Sequence, residues 1–278
     1  MGTRIDPRAL TRELLAFDTV NPPGMERACA NHLGALLEKS GFAVEYHEYA
    51  EGRASLIARI GDGSGPPICF TGHMDVVPLG AAPWKREPFS GETDGDRLYG
   101  RGSTDMKGGI AAFVAAAVEL APKLARGPGL VLVITAGEEI GCEGARFLAD
   151  QRLLGEAGAI VVAEPTANYP YVGHKGLCWF EIETQGVTAH GSMPEVGDNA
   201  ILKMARVIGD LEGFRFPVET HPVMGKPTMN VGTIHGGSTP TPCPTAPASR
   251  SIRGPSRGSS TGTCASRWRR SSRRAGRG

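Results

Sequence analysis

Apolar residues recur along the first 165 residues of the chain in two periods, one typical of helices and one typical of strands. Leucines at helical spacing predict an N-terminal helix, which the sequence Asn-Pro-Pro-Gly at 21–24 ends. The other apolar runs predict strands at 42–49, 54–60, 67–71, 130–135 and 159–163, and helices at 25–40, 106–121 and 145–154. Strands that alternate with helices predict the α/β class, with a sheet covered by helices on both faces.

The pattern changes after residue 175. Residues 178–184 alternate between apolar and polar side chains, as half-exposed antiparallel strands do. An amphipathic helix is predicted over 199–211 and a further strand over 228–234. This order of elements predicts the first half of a small α+β domain.

The formal net charge of +1 hides an uneven distribution of charge. Residues 240–278 contain nine arginines and no acidic residue, whereas the rest of the chain contains 21 basic and 29 acidic residues. No run of 18 apolar residues predicts a membrane span, and the first 25 residues carry three acidic residues instead of the apolar stretch of a secretion signal. The six cysteines lie far apart without C-x-x-C spacing, which argues against a zinc finger and predicts a reducing, cytoplasmic location.

Acidic residues and one histidine follow the predicted strands directly. His73 and Asp75 come after the third strand, Glu138 and Glu139 after the fourth, and Glu164 after the fifth. Because the functional sites of α/β sheets form outside the carboxyl ends of the strands, we expect these side chains to share one site.

The residue types suggest how such a site would work. Residues two apart in an extended chain point to the same side, so Asp75 can accept a hydrogen bond from the His73 ring and fix its tautomer. Glu138 and Glu139 point to opposite sides, so one can bind metal while the other acts as a general base. Asp105 either caps the helix that follows it, or bridges two cations, or does both. Singly, each is more often an ordinary structural residue, but together they favour a dinuclear zinc, manganese or cobalt hydrolase.

Four segments carry a resemblance to a known family. They are 72–78 (GHMDVVP), 99–109 (YGRGSTDMKGG), 135–139 (TAGEE) and 163–165 (AEP). In this order they resemble the zinc aminoacylase and carboxypeptidase family, which includes acetylornithine deacetylase, succinyl-diaminopimelate desuccinylase and glutamate carboxypeptidase. The resemblance spans residues 8–239 and implies a zinc-exopeptidase-like sheet with a partial α+β lid domain. It also implies an amidohydrolase that acts on N-acyl amino acids or short peptides.

The resemblance further implies two zinc ions, with cobalt or manganese as alternatives. The implied metal ligands are His73, Asp105, Glu139 and Glu164. Asp105 would bridge the two ions, His73 and Glu164 would complete the first site, and Glu139 would bind the second ion. Glu138 would be the general base, and Asp75 would orient His73.

Residues 188–194 (TAHGSMP) resemble the lid-domain motif of the same family. By that resemblance, His190 polarises the scissile carbonyl in the active site of a partner subunit, and the chain forms a homodimer through its lid. From the residues alone, His190 is a turn histidine before Gly191.

The resemblance implies a catalytic domain over 1–176, a partial lid and dimerisation domain over 177–239 and an Arg/Ser/Pro-rich tail over 240–278. Family members complete the lid and then supply a last histidine to the second zinc. His235 is the last histidine here and lies in the predicted lid strand, so it is a poor substitute. We therefore expect about one tightly held zinc per chain.

The tail allows three interpretations. If the reading frame of residues 242–252 is shifted by one base, the permitted codons include the strand-like sequence VPDRARITID. One hypothesis is therefore a frameshift near codons 238–242, which would make the tail an out-of-frame, disordered segment. Resequencing codons 235–250 tests it. The alternatives are a catalytically inactive fragment of the family and, less favoured, a protein that binds nucleic acid through its basic tail.

Overall fold

A computed structural model describes residues 4–237 and the backbone of a short strand at 249–251. The chain divides into two compact units, Met1–Pro170 and Tyr171–Gly278. Apart from the short strand, the predicted tail and the frameshift hypothesis lie outside the described residues.

The strands of the first unit are, in chain order, β1 (Ala43–Ala50), β2 (Arg53–Ile60), β3 (Ile68–His73), β4 (Thr93–Asp94), β5 (Arg97–Leu98), β6 (Leu130–Thr135) and β7 (Ala159–Val162). Five of them form a mixed sheet with the strand order β1-β2-β6-β3-β7. Strand β2 pairs antiparallel with β1 and β6, whereas β3 runs parallel to both β6 and β7. The short strands β4 and β5 form a separate hairpin. The carboxyl ends of β3, β6 and β7 therefore lie at one edge of the sheet.

Helices cover both faces of this sheet, as predicted. They are α1 (Pro7–Leu15), α2 (Arg27–Glu38), α3 (Lys107–Leu124) and α4 (Glu143–Asp150). Along β6, Leu132 and Ile134 pack into the core with α1, α2 and α3, while Val131 and Val133 pack on the other face with Leu148 of α4. Both faces of the strand are thus buried, which is why it forms a continuous apolar run instead of an alternating one.

Two predictions about the first unit are wrong. The helix predicted over 106–121 continues to Leu124 with Pro122 inside it, because a proline in the last turn removes only one backbone hydrogen bond. A continuous apolar run over 159–163 in a sheet covered on both faces predicts a buried strand, yet Ile160 and Val162 are more than half exposed. Strand β7 lies at the end of the described sheet, so it is paired on one side only.

The second unit contains β8 (Glu183–Gln185), α5 (Ala200–Gly213) and β9 (Ser249–Ser251), with β8 and β9 paired antiparallel. The predicted helix is confirmed, and Asn199 caps it through its side chain. The strand predicted over 178–184 is reduced to β8, and residues 228–234 form no strand. Among residues 4–237, no helix is both long and apolar enough to cross a membrane.

Buried Cys29 on α2 predicts a pH dependence of stability. Burial raises the pKa of this thiol to about 11, from an ordinary value of 9.0. Between these two values the unfolded chain loses the thiol proton while the folded chain keeps it, so ionisation favours unfolding as the pH rises. We expect the free energy of unfolding to fall faster in the wild type than in Cys29→Ala, by up to about 1.4 kcal/mol per pH unit from pH 9 to 11. Urea titrations of both proteins measure the difference, and parallel curves would contradict it.

Candidate metal centre

The predicted site residues of the first unit meet at one edge of the sheet. His73 is the last residue of β3, and Glu138 and Glu139 follow the end of β6. Glu164 follows β7, and Asp105 lies just before α3. Since β3 is parallel to both β6 and β7, their carboxyl ends bring these side chains together.

The imidazole of His73 lies at the centre of the group, and its side chain is only 2 % exposed. Its Nε2 atom lies 3.2 Å from Oδ1 of Asp105, 3.6 Å from Oε1 of Glu164 and 3.9 Å from Oε2 of Glu138. Three residues each offer one ligand atom within 4.8 Å of the other two: His73, Asp105 and Glu139. This spacing is compact enough for the three groups to share a cation.

Asp105 does not cap α3. Met106 occupies the N-cap position without a side-chain hydrogen bond, and the Asp105 carboxylate contacts His73 instead. Close packing of α3 on the sheet places Asp105 beside His73. A Cβ atom at Gly72 would lie 2.7 Å from the Met106 side chain, and one at Gly109 would lie 2.4 Å from the Ala163 carbonyl oxygen. The glycines of the two motifs therefore allow Asp105 to approach His73 and Glu164.

Asp75 holds both the histidine and the turn that carries the two glutamates. The Nδ1 atom of His73 lies 2.9 Å from the Asp75 backbone oxygen and 3.5 Å from its carboxylate. The same carboxylate accepts hydrogen bonds from the backbone N–H groups of Glu138 (3.0 Å) and Glu139 (3.1 Å). Burial alone would raise the pKa of Asp75, but the hydrogen bonds from His73, Asn21 and Glu138 outweigh it and lower the pKa. The Asp75 carboxylate is thus ionised, and each of its two oxygens accepts at least one hydrogen bond.

The site concentrates negative charge. Burial alone would lower the pKa of His73, but its hydrogen bonds to Asp105 and Asp75 outweigh this and raise the pKa to about 11. Burial raises the pKa of Glu139 to about 7, and the charges of Asp105 and Glu138 add to the effect while His73 opposes it. Burial also raises the pKa of Glu164, and the hydrogen bond from His73 lowers that of Asp105. Repulsion among the carboxylates adds to burial in raising the pKa values of Glu139 and Glu164, so a positive charge is favoured in the site.

This donor set fits a divalent cation. Five carboxylates, those of Asp75, Asp105, Glu138, Glu139 and Glu164, surround one imidazole, and a protonated His73 can neutralise only one of their charges. Carboxylate oxygens with one imidazole nitrogen are ligands for zinc, manganese and cobalt. His73, Asp105 and Glu139 could share such a cation, and Glu164 lies beside them, with Oε1 3.6 Å from Nε2 of His73.

His190 belongs to the second unit and is exposed. Its Nδ1 atom lies 2.8 Å from Oγ of Ser192, and the Ser192 backbone N–H also points to it at 3.3 Å. The histidine therefore lies in a local turn in which its Nδ1 atom contacts Ser192.

Sequence patterns missed two residues that support the site. Asn21 donates a hydrogen bond of 2.7 Å to Asp75, and Glu26 accepts one of 3.2 Å from the Gly137 backbone N–H. The Asn-Pro-Pro-Gly segment indicated only the end of a helix, and Glu26 was one of several polar residues in a predicted helix. No local signal points to either contact, because the partners are far away in sequence.

The first unit's motifs lie within a match to a known family model. Residues 69–250 match the model of peptidase family M20/M25/M40. A probable succinyl-diaminopimelate desuccinylase of Staphylococcus aureus (strain MRSA252) is 42 % identical over 173 residues, which cover 62 % of this chain and 42 % of that protein. The succinyl-diaminopimelate desuccinylase of Wolbachia pipientis subsp. Culex pipiens (strain wPip) is 34 % identical over 223 residues, with 77 % and 55 % covered. The chain thus spans about half the length of the curated relatives it matches.

Solved structures agree on the fold. An M20 family metallo-carboxypeptidase from Sulfolobus solfataricus aligns with a TM-score of 0.56 at 22 % identity, covering 73 % of this chain and 49 % of its own. A dinuclear metal-binding peptidase of the M20 family from Bacillus subtilis aligns with a TM-score of 0.53 at 17 % identity, covering 88 % and 62 %. The family resemblance predicted from the four motifs is confirmed, and this chain belongs to peptidase family M20/M25/M40.

Proposed function

We propose that the protein is a metal-dependent hydrolase that cleaves an amide bond of an N-acyl amino acid or a short peptide. The observation that carries the proposal is the cluster of His73 with Asp105, Glu138, Glu139 and Glu164 at the carboxyl edge of a family M20 sheet. A succinylated amino acid is the first substrate to test, since two relatives carry the name of a desuccinylase.

Zinc is the proposed metal, with cobalt or manganese as alternatives. His73, Asp105 and Glu164 are proposed as ligands of a first ion, and Asp105 and Glu139 as ligands of a second. Three protein ligands form an ordinary zinc shell and two do not, so about one tightly held ion per chain is expected. A divalent cation at this position supplies Lewis acidity, which lowers the pKa of water and polarises a carbonyl.

The chain's own groups would then move the proton. Glu138 lies at the edge of the cluster with its side chain 38 % exposed, so water and substrate can reach its carboxylate. We assign Glu138 as the general base that takes a proton from the attacking water and passes it to the leaving amine. Asp75 keeps the Nδ1 atom of His73 engaged, which directs the Nε2 atom towards Asp105.

The remaining assignments follow the family resemblance. The catalytic role is proposed for the region 1–176 and a lid and dimerisation role for 177–239, with His190 reaching the substrate carbonyl of a partner subunit. The cytoplasm is the proposed location, because Cys29, Cys69, Cys142 and Cys178 are free thiols. Nucleic-acid binding by the tail is the less favoured alternative.

Amine release from N-succinyl-diaminopimelate, N-acetylornithine and a dipeptide tests the proposal. We expect the zinc- or cobalt-loaded chain to hydrolyse at least one of them, and a chelator to abolish the reaction. If the metal-loaded chain hydrolyses none of them while still binding one ion, the alternative of a catalytically inactive fragment is correct. Salt-sensitive binding of nucleic acid that disappears on deletion of 240–278 would instead support the tail interpretation.

A further inference from the structure

Glu26 and Arg53 form a buried ion pair near the metal-binding residues, and it has no part in the proposed chemistry. Glu26 is fully buried, and Arg53 binds both of its oxygens, with Nε–Oε2 at 2.8 Å and Nη2–Oε1 at 3.0 Å. Arg53 also donates a hydrogen bond to the Pro23 carbonyl and stacks 5.4 Å from the centre of the Tyr49 ring. The guanidinium is therefore held on several sides, and it fixes the position of the carboxylate.

The carboxylate of Glu26 reaches the turn that carries the general base. Its Oε1 atom accepts a hydrogen bond of 3.2 Å from the backbone N–H of Gly137. The next two N–H groups, those of Glu138 and Glu139, donate to the carboxylate of Asp75. Three successive backbone N–H groups thus bind two buried carboxylates that come from distant parts of the chain.

The turn depends on these contacts for its shape. Gly137 has a φ of +71°, and a Cβ atom there would lie 2.2 Å from Oη of Tyr49 and 3.1 Å from Nη2 of Arg53, so the backbone passes close to the Glu26–Arg53 pair. The turn also places Glu138 and Glu139 beside other carboxylates, whose repulsion favours moving them apart. Anchored N–H groups oppose this movement, because a buried N–H without an acceptor is costly.

We propose that Glu26, held by Arg53, is a positioning residue for the general base Glu138. Asp75 anchors the turn through the N–H groups of Glu138 and Glu139, and Glu26 anchors it through that of Gly137. The inference rests on the proposed function only in giving Glu138 its role as base. The anchoring itself is a property of the backbone and can be measured without any reaction.

Amide hydrogen exchange of the full-length chain, read by NMR, tests the anchoring directly. In Glu26→Leu we expect the Gly137 amide to exchange roughly 10- to 100-fold faster than in the wild type, with smaller increases at Glu138 and Glu139. The amides of Val131–Ile134 in β6 report overall stability, so they should change less than those of the turn. An equal loss of protection in β6 and in the turn would show a purely structural role and overturn the proposal.

A conservative variant keeps the test valid if Glu26→Leu does not fold. Glu26→Gln can keep an oxygen at the position of Oε1, but its NH2 group cannot accept from Nε of Arg53 as Oε2 does. The side chain is then held less firmly, so Gly137 exchange should fall between wild type and Glu26→Leu. Glu48→Gln is the matched control, because Glu48 also joins an arginine, Arg27, to a glycine N–H, that of Gly52, but at the surface. Turn exchange that is identical in wild type and Glu26→Gln would contradict the proposal.

Kinetics provides the second readout. We expect kcat of Glu26→Gln to fall by about 10-fold with KM within about twofold, since a displaced base slows the chemical step more than it weakens binding. Glu48→Gln should keep both constants. A kcat unchanged in Glu26→Gln would overturn the positioning role. If the wild type hydrolyses no amide, the proposed function fails, while the exchange result still decides whether Glu26 anchors the turn.

Discussion

Replacement of Glu138 by glutamine is expected to lower kcat for amide hydrolysis by about 10²- to 10⁴-fold while the chain still binds its metal. The glutamine side chain has nearly the same size as the glutamate side chain but cannot accept a proton from water. The turn that carries residue 138 is held by its backbone N–H groups, so the substitution should leave the positions of Asp75 and Glu139 unchanged. Steady-state rates and metal content by elemental analysis measure the two effects separately.

Two further variants make this result specific. Glu139→Gln should lower activity and the amount of metal bound at saturating metal, because Glu139 is the proposed ligand of the second ion and its carboxylate lies within 4.8 Å of ligand atoms of His73 and Asp105. Glu119→Gln, on the exposed face of α3, should change neither. If Glu138→Gln lost the metal and Glu139→Gln kept it, the roles assigned to the two neighbours would have to be exchanged.

The assembly of the metal cluster could be predicted because it depends on local patterns. His73, Glu138 and Glu164 each follow a short apolar run, and parallel strands bring such ends to one edge of a sheet. The motif around Asp105 supplied the glycines that let the start of α3 approach this edge. These signals lie within a few residues of the groups they position, so the sequence alone carries them.

The hydrogen bonds that Glu26 and Asn21 make to the site could not be predicted, because they join distant segments of the chain. Gly137 and Glu26 are separated by 111 residues, and Asp75 and Asn21 by 54. Side chains such as these show no periodicity, and only the packed fold reveals what they bind. Glu26, at the N-cap position of the helix that begins at Arg27, looks in the sequence like any polar residue at a helix terminus.

The second unit shows a different limit. Residues 228–234 have the composition of a strand, yet Met229, Val231 and Ile234 are about half exposed and form no ladder. A strand depends on hydrogen bonds to a neighbouring strand, which sequence patterning cannot guarantee. The helix α5 formed as predicted because its hydrogen bonds and its Asn199 cap lie within the segment itself.

The other large effect concerns thermal stability. The group of His73, Asp105, Glu139 and Glu164 is assembled only in the folded chain, so a cation that binds it stabilises the folded state. A divalent cation that binds the folded chain at a thousand times its Kd stabilises it by about 4 kcal/mol. At about 2–4 °C per kcal/mol for a chain of this size, the melting temperature should rise by roughly 8–16 °C on adding zinc or cobalt and fall back on chelation. Differential scanning fluorimetry measures this shift.

Asp105→Ala is expected to abolish the rise. The Asp105 carboxylate lies 3.2 Å from Nε2 of His73, and its ligand atom lies within 4.8 Å of those of His73 and Glu139, so its removal takes away a central member of the group that could share a cation. Glu119→Ala, which removes an exposed carboxylate from the same helix, should keep the full shift. An equal rise in Asp105→Ala would mean that the cation stabilises the protein from another site. Loss of the rise in Asp105→Ala alone would place the cation among His73, Asp105, Glu139 and Glu164, where the carboxylates crowd and a positive charge lowers the energy of the folded state most.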